Sequence, residues 1–180
     1  MKRYKPVSLK KIRTYPLSSR KSKVEAGLFA APHAKGDSFR SFIGRLPSFL
    51  AASDLKEIVR AIVDARKNNR PVILGMGAHP IKVGLSPVII DLMQRGVITA
   101  IATNGACIIH DFELSLAGRT SEDVAKEICT GRFGMARETG KDLNIAINKG
   151  VKKGSGIGRA VGEYIEKRKN RFRDKSIFSD

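Results

Sequence analysis

The stretch VILGMGAHPIKVGLSPVIIDLMQRGVITAIATNGACIIHDFELSLAG, residues Val72–Gly118, decides the fold. It holds two short apolar runs, VILGMG, which Pro71 precedes, and VITAIAT, and a helical pattern follows each. Continuous apolar runs of this length read as buried strands, because strands in a parallel sheet are covered on both faces. In LSPVIIDLMQRG, Ser86 stands as N-cap, Pro87 at the first helical position and Gly96 as the stop. IIHDFELSLAG is a second helix, closed by Gly118. Strand–helix–strand–helix order predicts adjacent parallel strands at 71–75 and 97–103, joined by right-handed crossovers. The expected fold class is α/β, a Rossmann-like three-layer parallel sheet. Two strands make a poor sheet on their own. The sheet is therefore expected to be incomplete in this chain, which would belong to a larger polypeptide or an assembly.

Upstream, residues 1–40 are basic and broken by Pro6, Pro16 and Pro32. They predict an extended arm lying over the core or over a neighbouring subunit. Residues 41–180 form the expected α/β nucleotide-binding-type domain. Ser53 or Asp54 caps a helix carrying Leu55, Ile58, Val59, Ile62 and Val63, which ends near Asn69 ahead of Pro71. Downstream, Thr120 and Asp123 form a capping-box variant. Two further helices follow, separated around KKGSG, with Gly162 at a close-packing position. The glycines of GSGIGRAVGE look like a phosphate loop, but no strand precedes them, so the dinucleotide fingerprint fails.

The chain of 180 residues is 42% hydrophobic and carries a net charge of +17. That is enough apolar content for a core and excludes disorder by composition. Its apolar runs are far short of a membrane span, and the N-terminus shows no apolar signal core. Cys107 and Cys129 fit no metal spacing and read as reduced thiols of a cytoplasmic protein. The charge is concentrated at the ends. Residues 1–24 hold nine Lys/Arg and no acid, and residues 149–180 hold ten Lys/Arg and four acids. Such ends suit nucleic acid or an acidic partner. The absence of a zinc spacing or RNP-type aromatic motif speaks against specific nucleic-acid recognition.

Two loops sit at the C-terminal ends of the predicted strands, the edge where open α/β sheets bind ligands. In the first, Gly77 and Ala78 allow close approach of a phosphate or ribose, and His79 and Lys82 supply polar groups. In the second, Thr103, Asn104 and Gly105 offer a hydroxyl, an amide and an open backbone. His110 and Asp111 then open the next helix. His110 is the candidate acid/base, and Asp111 orients the helix start or a ligand group. The strand ends converge, so His79 and His110 are expected to face one cavity.

These residues resemble deoxyhypusine synthase. Gly84 to Ala117 aligns without a gap with that family's strand–helix–strand segment, matching at Gly84, Ile89, Leu92, Thr103, Asp111, Leu116 and Ala117. The chain is more similar still to a bacterial branch of the family. The shared motifs are Thr14-Tyr15, Arg20 to Val24, Gly75 to Met93, Asn104 to Glu113, Thr120 to Val124 and Phe133 to Gly140. The resemblance implies an NAD-binding fold, a homotetramer with sites at subunit interfaces, and NAD contacts at Gly77 to Lys82 and Thr103 to Gly105. It implies oxidation of spermidine by NAD, with aminobutyl transfer through an enzyme lysine. That lysine lies in a C-terminal half that this chain does not contain. The family's paired glutamates fall on Ile109 and His110, and its neighbouring serines on Lys82 and Val83. A lysine and a histidine suit an anionic or neutral ligand better than a polyamine.

The leading expectation is thus a deoxyhypusine synthase-like transferase, whose NAD-dependent oxidation is coupled to group transfer on an unnamed small molecule. The alternative is a non-catalytic subunit that needs a separately encoded C-terminal half. A third reading is a basic protein that binds RNA through its arm.

Overall fold

The computed structural model describes residues 4–179. The chain divides into two compact units, 1–61 and 62–180, a boundary well past the sequence-based division at 40/41. In the first unit, short 3-10 turns at Leu9–Lys11, Leu17–Ser19 and Ala26–Leu28 precede helix α1, Phe39–Arg45. Ser38 caps α1 by accepting a hydrogen bond from the Ser41 amide at 3.2 Å. The segment before it is tied down by polar contacts: Arg45 donates to the Pro32 carbonyl at 2.5 Å and pairs with Asp37 at 2.9 Å. No residue from 4 to 61 is buried.

Helix α2, Leu50–Lys67, starts ahead of the Ser53 or Asp54 cap read from sequence. It stops where expected. Asn69 turns into the left-handed region at φ 51°, and the Arg70 amide donates to the Ala65 carbonyl at 2.8 Å. Asn tolerates that conformation better than most residues, and Pro71 forbids further helix.

The second unit holds strand β1, Ile73–Gly75, helix α3, His79–Lys82, helix α4, Ser86–Gln94, strand β2, Ala100–Ala102, and helix α5, Gly105–Ala117. Helices α6, Val124–Ile128, α7, Arg137–Lys152, and α8, Ile157–Arg168, follow, then a 3-10 turn at Arg173–Lys175. The strands pair in parallel, with Ile73 opposite Ala100 and Gly75 opposite Ala102. They are short, and they alternate in exposure instead of being buried throughout. Leu74 and Ile101 pack against Ile81, Ile89, Ile90, Ile98 and Cys107. The other face leaves Ile73 64% exposed. Among the described residues, then, the architecture is α/β and mostly helical, with one two-stranded parallel sheet covered on one face; a three-layer sandwich is not formed.

Several predicted caps are corrected. Leu85, not Ser86, is the N-cap of α4; Ser86 is its first residue, and its hydroxyl is buried without a partner. Gly96, at φ 64°, still ends that helix, and Gly118, at φ 68°, ends α5. Thr120 makes no capping box, because Asp123 directly precedes α6 and Thr120 turns back to Glu113. Helix α5 is the spine of the unit. Cys107 faces the cluster over the sheet, while Ile108 and Phe112 join a second cluster with Leu143, Ala146, Val161 and Ile165 from α7 and α8. Phe178 packs against both clusters. Each large aliphatic or Phe side chain buried here contributes roughly 1.5–3 kcal/mol. No helix among the described residues is long and apolar enough to cross a membrane.

Candidate functional site

The two strand-end loops lie side by side. The Met76 amide donates to the Ala102 carbonyl at 3.0 Å, and the Thr103 hydroxyl donates to the Met76 carbonyl at 3.0 Å. Asn104 caps α5: its side-chain oxygen accepts from the Cys107 amide at 3.3 Å. Its Nδ2 lies 4.0 Å from where a Cβ on Gly77 would be. A Cβ on Gly75 or Gly105 would meet nothing within 4 Å. None of these three glycines has a positive φ. Neither backbone conformation nor internal packing requires glycine at 75, 77 or 105.

The segment after Gly77 is not a plain loop. Ala78 is buried beneath it, and His79 and Lys82 lie exposed on the single turn of α3, with Pro80 in its first turn. His79 makes no hydrogen bond, ion pair or ring contact with His110. Helix α3 packs on α5, and the charge of Lys82 is felt at His110. Along the crest Gly77, Asn104 and Gly105 are exposed and Thr103 is half-buried, and the grooves of about 660 and 420 Å³ are lined by other residues.

His110 and Asp111 do not open their helix. Because Asn104 caps the chain first, α5 begins at Gly105, and both residues sit nearly two turns in. They face opposite surroundings. Asp111 is fully buried. One carboxylate oxygen accepts from the Ser176 hydroxyl at 2.5 Å, and the other from the Ile177 amide at 2.8 Å. Burial pushes its carboxyl up to about 6 against the pull of these hydrogen bonds. Its carboxylate lies under the C-terminal segment.

His110 is half-buried within a chain of side chains. Its Nδ1 lies 2.7 Å from the Thr120 hydroxyl, which donates to Glu113 at 2.5 Å. The other oxygen of Glu113 accepts from the Thr139 hydroxyl at 3.0 Å. A threonine has one hydroxyl proton, and a carboxylate only accepts. The Thr120 proton is spent on Glu113, so Nδ1 of His110 must carry the proton it donates to Thr120. The ring is left with an unprotonated Nε2. Burial holds the imidazole below its ordinary value, outweighing Glu113, and Lys82 pushes the same way. The ring is therefore neutral at pH 7, and Nε2 can take a proton.

Beside this chain lies a groove of about 420 Å³ lined by Glu113, Thr120, Thr139, Arg119 and Glu138. Glu113, Thr120 and Thr139 were not legible as functional residues. Glu113 stands three residues after His110, a helical spacing that puts them on one face; the threonines arrive from other elements. No metal-holding group of three or more His, Cys, Asp or Glu occurs among the described residues.

Comparison with known proteins gives no further guidance: no family model, no curated protein and no solved structure matches the chain.

Proposed function

We propose that residues 62–180 are a nucleotide-binding unit of the deoxyhypusine synthase type, a Rossmann-like three-layer sheet when complete. Its reaction is NAD-dependent oxidation coupled to group transfer. The observation that carries this reading is the paired crest, in which Gly75, Gly77 and Gly105 have no internal reason to be glycine. Gly77, Ala78, His79, Thr103, Asn104 and Gly105 would hold NAD, with Lys82 at its flank. The Thr103 hydroxyl proton and the Asn104 oxygen are already engaged, so donors to NAD would come from backbone amides and the Asn104 amide nitrogen. When bound, NAD supplies the hydride acceptor. His110 takes the substrate proton at Nε2, and Thr120 and Glu113 fix its tautomer.

Spermidine is not the expected substrate. Ile109 and His110 stand where a polyamine would meet carboxylates, and Asp111 is occupied under the C-terminal segment. Calorimetric titration of the protein with NAD tests the cofactor. Saturable binding is expected, weakened at least tenfold by Gly77→Val at unchanged melting temperature. Absence of saturable binding at millimolar NAD removes the reading.

One observation favours assembly with a partner, whether a second copy or a separately encoded half. The sheet has two strands and exposes Ile73, and an apolar groove of about 660 Å³ lined by Met93, Ile98, Ile101 and Phe178 runs beside β2. Uncovered sheet edges and apolar grooves mark interaction surfaces. Light scattering of the purified chain, alone and with candidate partners, reads this directly.

A further inference from the structure

The close crossing of α7 and α8 builds a basic cleft away from the strand-end crest. A Cβ on Gly150 would lie 2.1 Å from the Cβ of Ala160, so the two backbones approach more closely than larger residues allow. Long side chains from both helices therefore share one surface. Lys149 of α7, Lys153 just past its end, and Lys167 and Arg168 of α8 line a groove of about 360 Å³, in which Glu163 is the acid. That acid is outnumbered: Arg159 and Lys167 both pair with it, and Lys153 lies close enough to lower its carboxyl further. Arg168 pairs with Asp142. Among the described residues, Lys149 and Lys153 have no ion-pair partner. They are exposed, one helical turn apart.

We propose that this cleft docks the phosphodiester backbone of a nucleic acid, with Lys149, Lys153, Lys167 and Arg168 as the phosphate contacts. The inference is independent of the NAD reading. The four cations come from two elements: Lys149 and Lys153 rise about 6 Å along the end of α7, and Lys167 and Arg168 stand in the last turn of α8. Four cations on two elements suit a run of phosphates better than a single one. A lipid surface would need an outward apolar stripe, but Val161 and Ile165 of α8 are turned into the core. The one aromatic residue in the groove, Tyr164, already carries the Arg168 guanidinium 5.6 Å from its ring centroid. Recognition is thus through charge, without base stacking or sequence preference.

Fluorescence anisotropy of the full chain with a labelled 20-base RNA and a 20-base-pair DNA, at increasing potassium chloride, tests the proposal. Binding is expected to at least one of them, with a log–log salt slope of about −3 to −4 on the duplex if four phosphates are neutralised. Lys149→Glu/Lys153→Glu should weaken binding at least tenfold and reduce the slope by about two. Should that variant fold poorly by circular dichroism, Lys149→Gln/Lys153→Gln gives the same reading with a smaller loss. Lys10→Glu/Lys11→Glu, the same charge change in the N-terminal segment, should weaken binding far less. An equal loss from that pair overturns the proposal, because total charge would then govern binding. So does absence of binding at 50 mM salt, or competition by poly-glutamate or anionic vesicles as strong as that by unlabelled nucleic acid.

Discussion

His110 and Asp111 are neighbours in sequence with opposite fates, because successive residues of a helix point about 100° apart. His110 points toward Thr120 and Glu113, while Asp111 points into the interior and ties Ser176 and Ile177 to α5. This gives Asp111 a pH signature. Its folded value is about 6 against an ordinary 3.8. Between those values the native state holds more proton than the unfolded state, so stability falls as pH rises through that window. The loss amounts to about 3 kcal/mol once complete, and it is flat above pH 6. Urea unfolding at pH 4, 5, 6 and 7 should show this decline in the wild type and lose it in Asp111→Asn. The amide has one acceptor oxygen where the carboxylate offers one each to Ser176 and Ile177, so the variant should be less stable than the wild type at pH 4, with the difference shrinking as pH rises to 7. An unchanged slope in Asp111→Asn would place the titration elsewhere.

At the scale of elements, the C-terminal segment is locked against α5 and α8. A Cβ on Gly162 would lie 2.0 Å from the Phe178 carbonyl oxygen, a backbone atom that cannot move alone. A Cβ on Gly158, one turn earlier, would lie 3.5 Å from the Phe178 ring, an ordinary contact. The two substitutions should therefore differ in sign. Gly162→Ala is expected to cost about 1–3 kcal/mol by overpacking. Gly158→Ala should be neutral or stabilise by up to ~1 kcal/mol through helix propensity. Thermal unfolding of the two variants checks this, and a milder effect at 162 than at 158 would refute the packing. Gly162 was read from sequence as a close-packing position. Gly150 was not, since its need for a small side chain comes from Ala160 on another helix.

Over the whole molecule, burial is uneven. Residues 4–61 bury no side chain, while α5 and α8 carry the fully buried Cys107, Phe112, Val161 and Ile165. Local opening costs little where few apolar contacts must be broken. Hydrogen exchange followed by mass spectrometry should show the amides of residues 4–40 exchanging at close to unfolded rates. Those of α5 and α8 should be the slowest in the chain. Strong protection across 4–40 in the isolated protein would mean that this segment is covered in solution, by the rest of the chain or by a second copy.

The sequence alone determined what depends on short-range rules. Continuous apolar runs gave the two strands and their parallel pairing; Gly96, Gly118 and Pro71 gave the ends of three helices, since φ and steric limits act within a turn. The break around KKGSG fell between α7 and α8 as read. The start of α5 is likewise local: Asn104 caps it through the Cys107 amide three residues on, so His110 and Asp111 lie inside the helix. Tertiary structure decided the rest. The partners of His110 come from residues 10 and more positions away at Thr120 and, through Glu113, Thr139; those of Asp111 lie 65 and 66 positions away at Ser176 and Ile177. A periodicity names the face of a helix but not the element that covers it, so whether a polar side chain meets solvent, a relay or a buried amide is fixed only when the chain packs.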